Sequence, residues 1–176
     1  MSMNTQTIMR ALKQHTIKKA TEHDIDALID HLATINNVAH PAIIPSRDAM
    51  RGIIASHTRQ PNSAFFIALV DGQIAGFIKA TGSASVLDRD SVKLSLSLDP
   101  DYRGHGIDNN LLNTALDWAH QQVAICRVTI EAIRRDKAAI RLYQQHGFIV
   151  EARIYHADTM PDTRNYKDIY VMTLCV

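Results

Sequence analysis

The sequence predicts one domain built on a mixed α/β sheet, and three observations lead there. Val92 to Leu98 alternates in polarity like a half-buried strand and runs straight into Pro100 and a glycine-punctuated turn. Beyond that turn Ile107, Leu111, Leu112, Ala115 and Ala119 fall on one helical stripe. Asp71-Gly72 separates two apolar runs, Ala64 to Val70 and Ile74 to Ala80, which is the signature of a tight antiparallel hairpin. The hairpin and the strand–turn–helix unit together imply both kinds of strand pairing.

The remaining elements follow in chain order. Thr16 to Ala20 reads as a first strand. Thr21 with Asp24 forms a capping box that opens an amphipathic helix through Ile25, Leu28, Ile29, Leu32 and Ile35. Residues Asn36 to Pro45, polar and twice interrupted by proline, read as a loop. Ser46 caps a second, short helix expected to end near Ser56. The Val92 strand is followed by a helix from Gly106 to about Gln122 and a strand from Arg127 to Ala132. A helix from Lys137 to His146 then stops at Gly147. Two closing strands, Phe148 to Tyr155 and Tyr166 to Leu174, flank a loop from Ala157 to Lys167.

Composition narrows the function. The chain has 176 residues, 46% of them hydrophobic, so one domain (1–176) can bury a proper core. Nineteen Lys and Arg against 18 Asp and Glu leave a formal net charge of +1, which argues against nucleic acid or an anionic membrane as partner. No apolar run is long enough to span a bilayer, and the first fifteen residues lack the apolar core of a signal peptide. Cys126 and Cys175 read as reduced thiols of a cytoplasmic protein. The nine histidines form no close-spaced ligand set, so no metal is expected.

The stretch Ser97-Leu98-Asp99-Pro100-Asp101-Tyr102-Arg103-Gly104-His105-Gly106-Ile107 carries most of the functional information. A strand, a tight turn and a helix N-terminus aim backbone N–H groups and the positive helix end at one point, which suits a phosphate or pyrophosphate. Glycines let an anion reach the backbone. The dinucleotide fingerprint needs a third glycine near the chain start, and the P-loop needs Gly-Lys-Ser/Thr; both are absent.

The turn resembles the coenzyme A-binding motif of the GNAT superfamily of N-acetyltransferases, Arg/Gln-x-x-Gly-x-Gly/Ala after a strand ending in Val-x-Pro. Arg103, Gly106 and Asp108 fall on its three positions, the last as a departure, since the family has Gly or Ala there. The segment from Glu131 through Asp136, Ala139, Ile140, Leu142 and Tyr143 to Gly147-Phe148 is similar to the later block of the same family. The resemblance is sharpest over residues 92–148. It implies a GNAT acyltransferase fold, with splayed central strands flanked by helices, and acetyl-CoA as cofactor.

What the resemblance implies for chemistry is direct attack of an amine on the thioester. Such a reaction needs a donor for the developing oxyanion, a route for the ammonium proton and an acid for the thiolate. Leu96, Ser97 and Leu98 match the positions whose backbone holds the pantetheine arm and thioester carbonyl. Arg103, Gly104, His105, Gly106, Ile107, Asp108 and Asn109 match the pyrophosphate cradle. Tyr143 matches the tyrosine whose hydroxyl protonates the sulfur; a phenol retains its proton at neutral pH. Packing against the sheet is the other expectation for it.

Glu131 matches a glutamate that some members use as general base, and a solvent-side strand residue is the equal alternative. Another frequent position for the base holds Lys93. Asp136 replaces an asparagine that contacts the pantetheine arm while keeping its capacity to cap a helix. Asp108 puts a carboxylate where a pyrophosphate belongs. Either it faces the anion, costing roughly 1–3 kcal/mol at ~6 Å, or it turns to solvent at the helix N-terminus.

The expected reaction is acetyl transfer to a primary amine of a small molecule or peptide N-terminus, with a homodimer left open. A GNAT-fold protein that senses or holds coenzyme A with little turnover is the alternative, favoured by Lys93 and Asp108. The acceptor region, implied to lie between the first helices and the last strand pair, offers His40, His156, Asp162, Tyr166 and Asp168, a set that fixes no substrate.

Overall fold

The computed structural model describes residues 15–39, 45–60, 62–83, 88–157 and 167–176. Seven strands and four α-helices follow one another as β1 (His15–Lys19), α1 (Ile25–Ala39), α2 (Arg47–Arg59), β2 (Ala64–Val70), β3 (Gln73–Gly82), β4 (Ser91–Leu98), α3 (Ile107–His120), β5 (Arg127–Ile133), α4 (Lys137–Gln145), β6 (Ile149–Ala157) and β7 (Lys167–Cys175). They form one sheet in the order β1-β2-β3-β4-β5-β7-β6. All neighbours are antiparallel except β4 and β5, which run parallel. The predicted mixed sheet is therefore what forms.

Local chemistry explains the elements. The capping box at Thr21 and Asp24 is present, with a single 3-10 turn ahead of α1. Asp71 takes φ 51° and Gly72 φ 79°, the two left-handed positions that a type I′ hairpin requires. Two helices run beyond their expected ends. Residues 36–39, expected in a loop, continue α1, which is described as far as Ala39, two positions before Pro41 in the sequence. In α2 the hydroxyls of Ser56 and Thr58 donate to carbonyls of their own helix, so polar side chains there do not end it. Gln60, extended ahead of Pro61, does.

Each face of the sheet has its own core. On one face Val92, Leu94, Val128, Ile130 and Met172 pack against Ile107, Leu111 and Leu112 of α3 and Ile140 and Tyr143 of α4. On the other, Phe65, Ile67, Ile74 and Phe77 pack against Ile25 and Leu28 of α1 and Met50 and Ile54 of α2. Burying each such aliphatic or aromatic side chain is worth roughly 1.5–3 kcal/mol. The second core draws on β2 and β3, whereas farther along the sheet Ile133, Ile149 and Ile154 remain exposed.

The register of β4 and β5 makes the opening on which the site depends. Their parallel ladder runs only from Ser91↔Arg127 to Leu94↔Ile130. Past that point β4 stays with β3 as far as Gly76↔Leu98, while β5 stays with β7 as far as Ile133↔Ile169. The strands part because each keeps its outer partner. A wedge opens between Ser95–Leu98 and Glu131–Ile133.

Candidate functional site

Two helix N-termini flank the wedge. Ahead of α3, Asp99 caps a short turn by accepting from the Asp101 N–H at 2.9 Å, and Pro100 starts that turn. Gly104 and Gly106 then take φ 77° and 75°, where any other residue would be strained. An added Cβ on either would meet nothing within 4 Å, so the glycines serve backbone conformation and not close packing. Among the described residues no group accepts from the N–H of Gly104, His105, Gly106, Ile107 or Asp108. Five donors at the positive end of a helix make a cradle fit for a pyrophosphate.

Asp108 lies inside this cradle. Its carboxylate turns back to accept from the Asn109 N–H at 2.9 Å, so it occupies the next amide of its own helix and leaves the five donors of the cradle in place. The half-buried carboxylate still acts on its surroundings, because its field reaches Tyr143 on α4. It thus meets neither expectation in pure form. Ile107 is buried in the α3 core, and Arg103, His105 and Gly104 are exposed.

The second N-terminus is closed by its own side chain. Asp136 accepts from the Ala139 N–H at 3.0 Å, the capping expected of it. About two turns later Tyr143 lies in the core beside Phe148, ring centroids 6.1 Å apart, with only 5% of its surface exposed. Burial first, then the fields of Asp136 and Asp108, pushes its phenol up to about 12. Tyr143 therefore keeps its proton at any physiological pH. That two carboxylates from separate motifs both reach it shows that the two sequence blocks converge on one place.

Between the helices the wedge supplies backbone. Leu96, Ser97 and Leu98 are half-buried and hydrogen-bonded to β3 on one side, with no ladder on the other. Gly76 makes this geometry possible: a Cβ there would sit 2.6 Å from the Ser97 carbonyl oxygen. Across the wedge Glu131 is neither buried nor alone. Lys93 donates to its Oε1 at 2.6 Å, and both side chains are partly exposed. The residue at one expected base position is thus the salt-bridge partner of the residue at the other. Lys93 also lines a groove of about 900 Å³ with Thr81, Ser95 and Thr129.

The region expected to receive the acceptor is only partly described. His40, Asp162 and Tyr166 lie outside the described residues, as does the side chain of His156. Asp168 is engaged by Arg134 and by Arg153. Gly76, the Lys93–Glu131 pair and Lys79 escaped sequence reasoning. Lys79 had one available signal: it is the single charge in the strand and interrupts the apolar run from Ile74 to Ala80.

Residues 32–148 match the sequence profile of the Acetyltransferase (GNAT) family. A probable N-acetyltransferase camello of Xenopus tropicalis is 30% identical over 58% of this chain, and the chain spans about half of that relative (46%). An N-alpha-acetyltransferase of Sulfurisphaera tokodaii is 27% identical over 83% of this chain and 88% of its own. In fold, an acetyltransferase of the GNAT family from Streptococcus pneumoniae superposes with a TM-score of 0.84 at 21% identity, covering 93% of this chain and all (100%) of that one.

Proposed function

The chain belongs to the GNAT acetyltransferase family, and from that premise we propose that it transfers an acetyl group from acetyl-CoA to the primary amine of a small molecule or a peptide N-terminus. The observation that carries the proposal is the β4–β5 wedge flanked by the open cradle at Gly104–Asp108. When bound, acetyl-CoA supplies the thioester that the amine attacks. Leu96, Ser97 and Leu98 would hold its arm by the backbone groups of their β5-facing edge, which no described strand pairs. Gly104 through Ile107 take the pyrophosphate, with Asn109 and Asp136 at the two helix entrances.

Tyr143 serves the sulfur. Its phenol, raised to about 12, is a hydrogen-bond donor at neutral pH. Complete transfer to a thiolate of ordinary basicity, near that of cysteine at about 8.5, would run uphill by roughly 3–4 pH units. Tyr143 therefore stabilises the sulfur mainly by donating to it. Glu131 receives the acceptor: its second carboxylate oxygen has no partner among the described residues and can take an ammonium, and Lys93 holds the first in place. Proton release then proceeds from Glu131 or through water into the open groove.

A second reading is favoured by the Asp108 carboxylate in the cradle, namely a protein that holds coenzyme A with little turnover. Thiol release from acetyl-CoA across a broad amine panel, with mass-spectrometric detection of product, separates the two. Acetylation of any amine supports transfer. Acetyl-CoA binding with no amine acetylated supports holding.

A further inference from the structure

Strand β3 buries every residue from Ile74 to Ala80 except Lys79, whose neighbours Ile78 and Ala80 are fully enclosed. Its ammonium sits 5.9 Å from the centre of the Phe77 ring, and among the described residues it forms no salt bridge. Burial lowers its affinity for a proton, and among the described residues no carboxylate opposes the effect. Other cations on β4, β5 and β6 are differently placed: Lys93 has Glu131, Arg127 has Glu151 and Arg153 has Asp168. A partly buried ammonium without a counter-ion is costly, and a ring face compensates only in part.

The position of Lys79 in the sheet shows what it faces. Lys79 pairs with Ser95 across β3 and β4. The β4–β5 register places Lys93 opposite Thr129 and Leu94 opposite Ile130, so Ser95 and Glu131 are the next residues on the two lips of the wedge. Lys79, Ser95 and Glu131 thus share one row across three strands. Strand spacing puts the ends of that row about 10 Å apart before the wedge widens. A free cation stands at one end and a carboxylate at the other, with a hydroxyl between them. The groove lined by Thr81, Lys93 and Ser95 opens beside the row.

We propose that Lys79 receives a carboxylate of the acceptor, so that the amine acetylated here belongs to a free amino acid whose ammonium lies toward Glu131. This rests on the acetyl-transfer reading above and adds the acceptor's class to it. A peptide N-terminus or a polyamine offers no carboxylate at that spacing and gains nothing from Lys79.

The test compares free L-amino acids with their carboxamides as acceptors, in wild type and in Lys79→Met, Lys79→Gln and Lys79→Arg proteins, with acetyl-CoA binding measured in parallel by calorimetry. At least one free acid should exceed its amide by tenfold or more in kcat/KM. Lys79→Met and Lys79→Gln should lower that preference by about 10–100-fold, mainly through KM, while Lys79→Arg retains part of it and acetyl-CoA binds all four proteins alike. Amides as good as acids, a preference that survives loss of the ammonium, or no acetylated amino acid from a protein that binds acetyl-CoA would each overturn the proposal. Wild-type protein that fails to bind acetyl-CoA would instead remove the acetyl-transfer reading, and this proposal with it.

Discussion

The two sides of the wedge are built from different material. The side we assign to the cofactor is mostly backbone: N–H groups at Gly104 to Asp108 that find no acceptor among the described residues, and the unladdered edge of Leu96 to Leu98. Its principal side chain, Tyr143, is buried and held in one protonation state. The side we propose for the acceptor is made of side chains, Lys79, Lys93, Ser95 and Glu131, that stand on three strands and stay partly open to water. Backbone donors are rigid and insensitive to residue identity, so they suit a ligand that never changes. Side chains can be exchanged without rebuilding the fold, which suits a substrate that differs between relatives.

The sharpest attack on the cofactor side is Tyr143→Phe. Turnover should fall by about 10²-fold, between the worth of a hydrogen bond to a charge and that of full proton transfer. Acetyl-CoA affinity should hardly move, since the ring stays; initial rates and calorimetry check both. Near-normal turnover would return Tyr143 to packing alone. The same variant has a pH signature. The folded-state pKa is raised, so the stabilisation from keeping the phenol protonated is complete below pH 10 and disappears as pH rises toward 12. Wild type should therefore lose up to about 2–3 kcal/mol more than Tyr143→Phe across that alkaline interval, read by urea titration at each pH.

Gly76→Ala tests whether the wedge depends on close approach of β3. The new Cβ would meet the Ser97 carbonyl at 2.6 Å. Overpacking should cost about 1–3 kcal/mol and weaken acetyl-CoA binding together with stability. A variant with unchanged melting temperature and affinity would show that β3 yields easily. Asp136→Ala removes the α4 cap and should cost about 1 kcal/mol by denaturant unfolding.

The smallest effect is expected from Asp108→Gly. Because the carboxylate is folded onto the Asn109 N–H, coenzyme A should bind only up to about tenfold tighter once it is gone. The gain should shrink as salt rises. Equal affinity of the two proteins at low salt would place the charge outside the cradle's reach.

The same contrast explains what the sequence could and could not reveal. The hairpin at Asp71-Gly72, the strand ending at Leu98 and the left-handed Gly104 and Gly106 are local, written in residues that force a dihedral angle. Leu96 to Leu98 and the α3 entrance were legible for that reason. Lys93 and Glu131 stand 38 positions apart and meet only through strand register, and their pairing joins two residues that seemed independent in the linear chain. Lys79 and Gly76 act through neighbours on other strands, which no periodicity reveals. The longer reach of α2 came with Ser56 and Thr58 satisfied within their own helix, a choice that composition cannot decide.

The central claim is that the cofactor is held by backbone at the wedge and at the entrance to α3. Titrating ¹⁵N-labelled protein with coenzyme A and following each backbone amide tests it most directly. The largest shifts should fall on Leu96 to Leu98 and Gly104 to Asn109, with the amides of Lys79 and Thr81 little changed. Saturable shifts concentrated elsewhere, with the Gly104 to Ile107 amides unmoved, would contradict it.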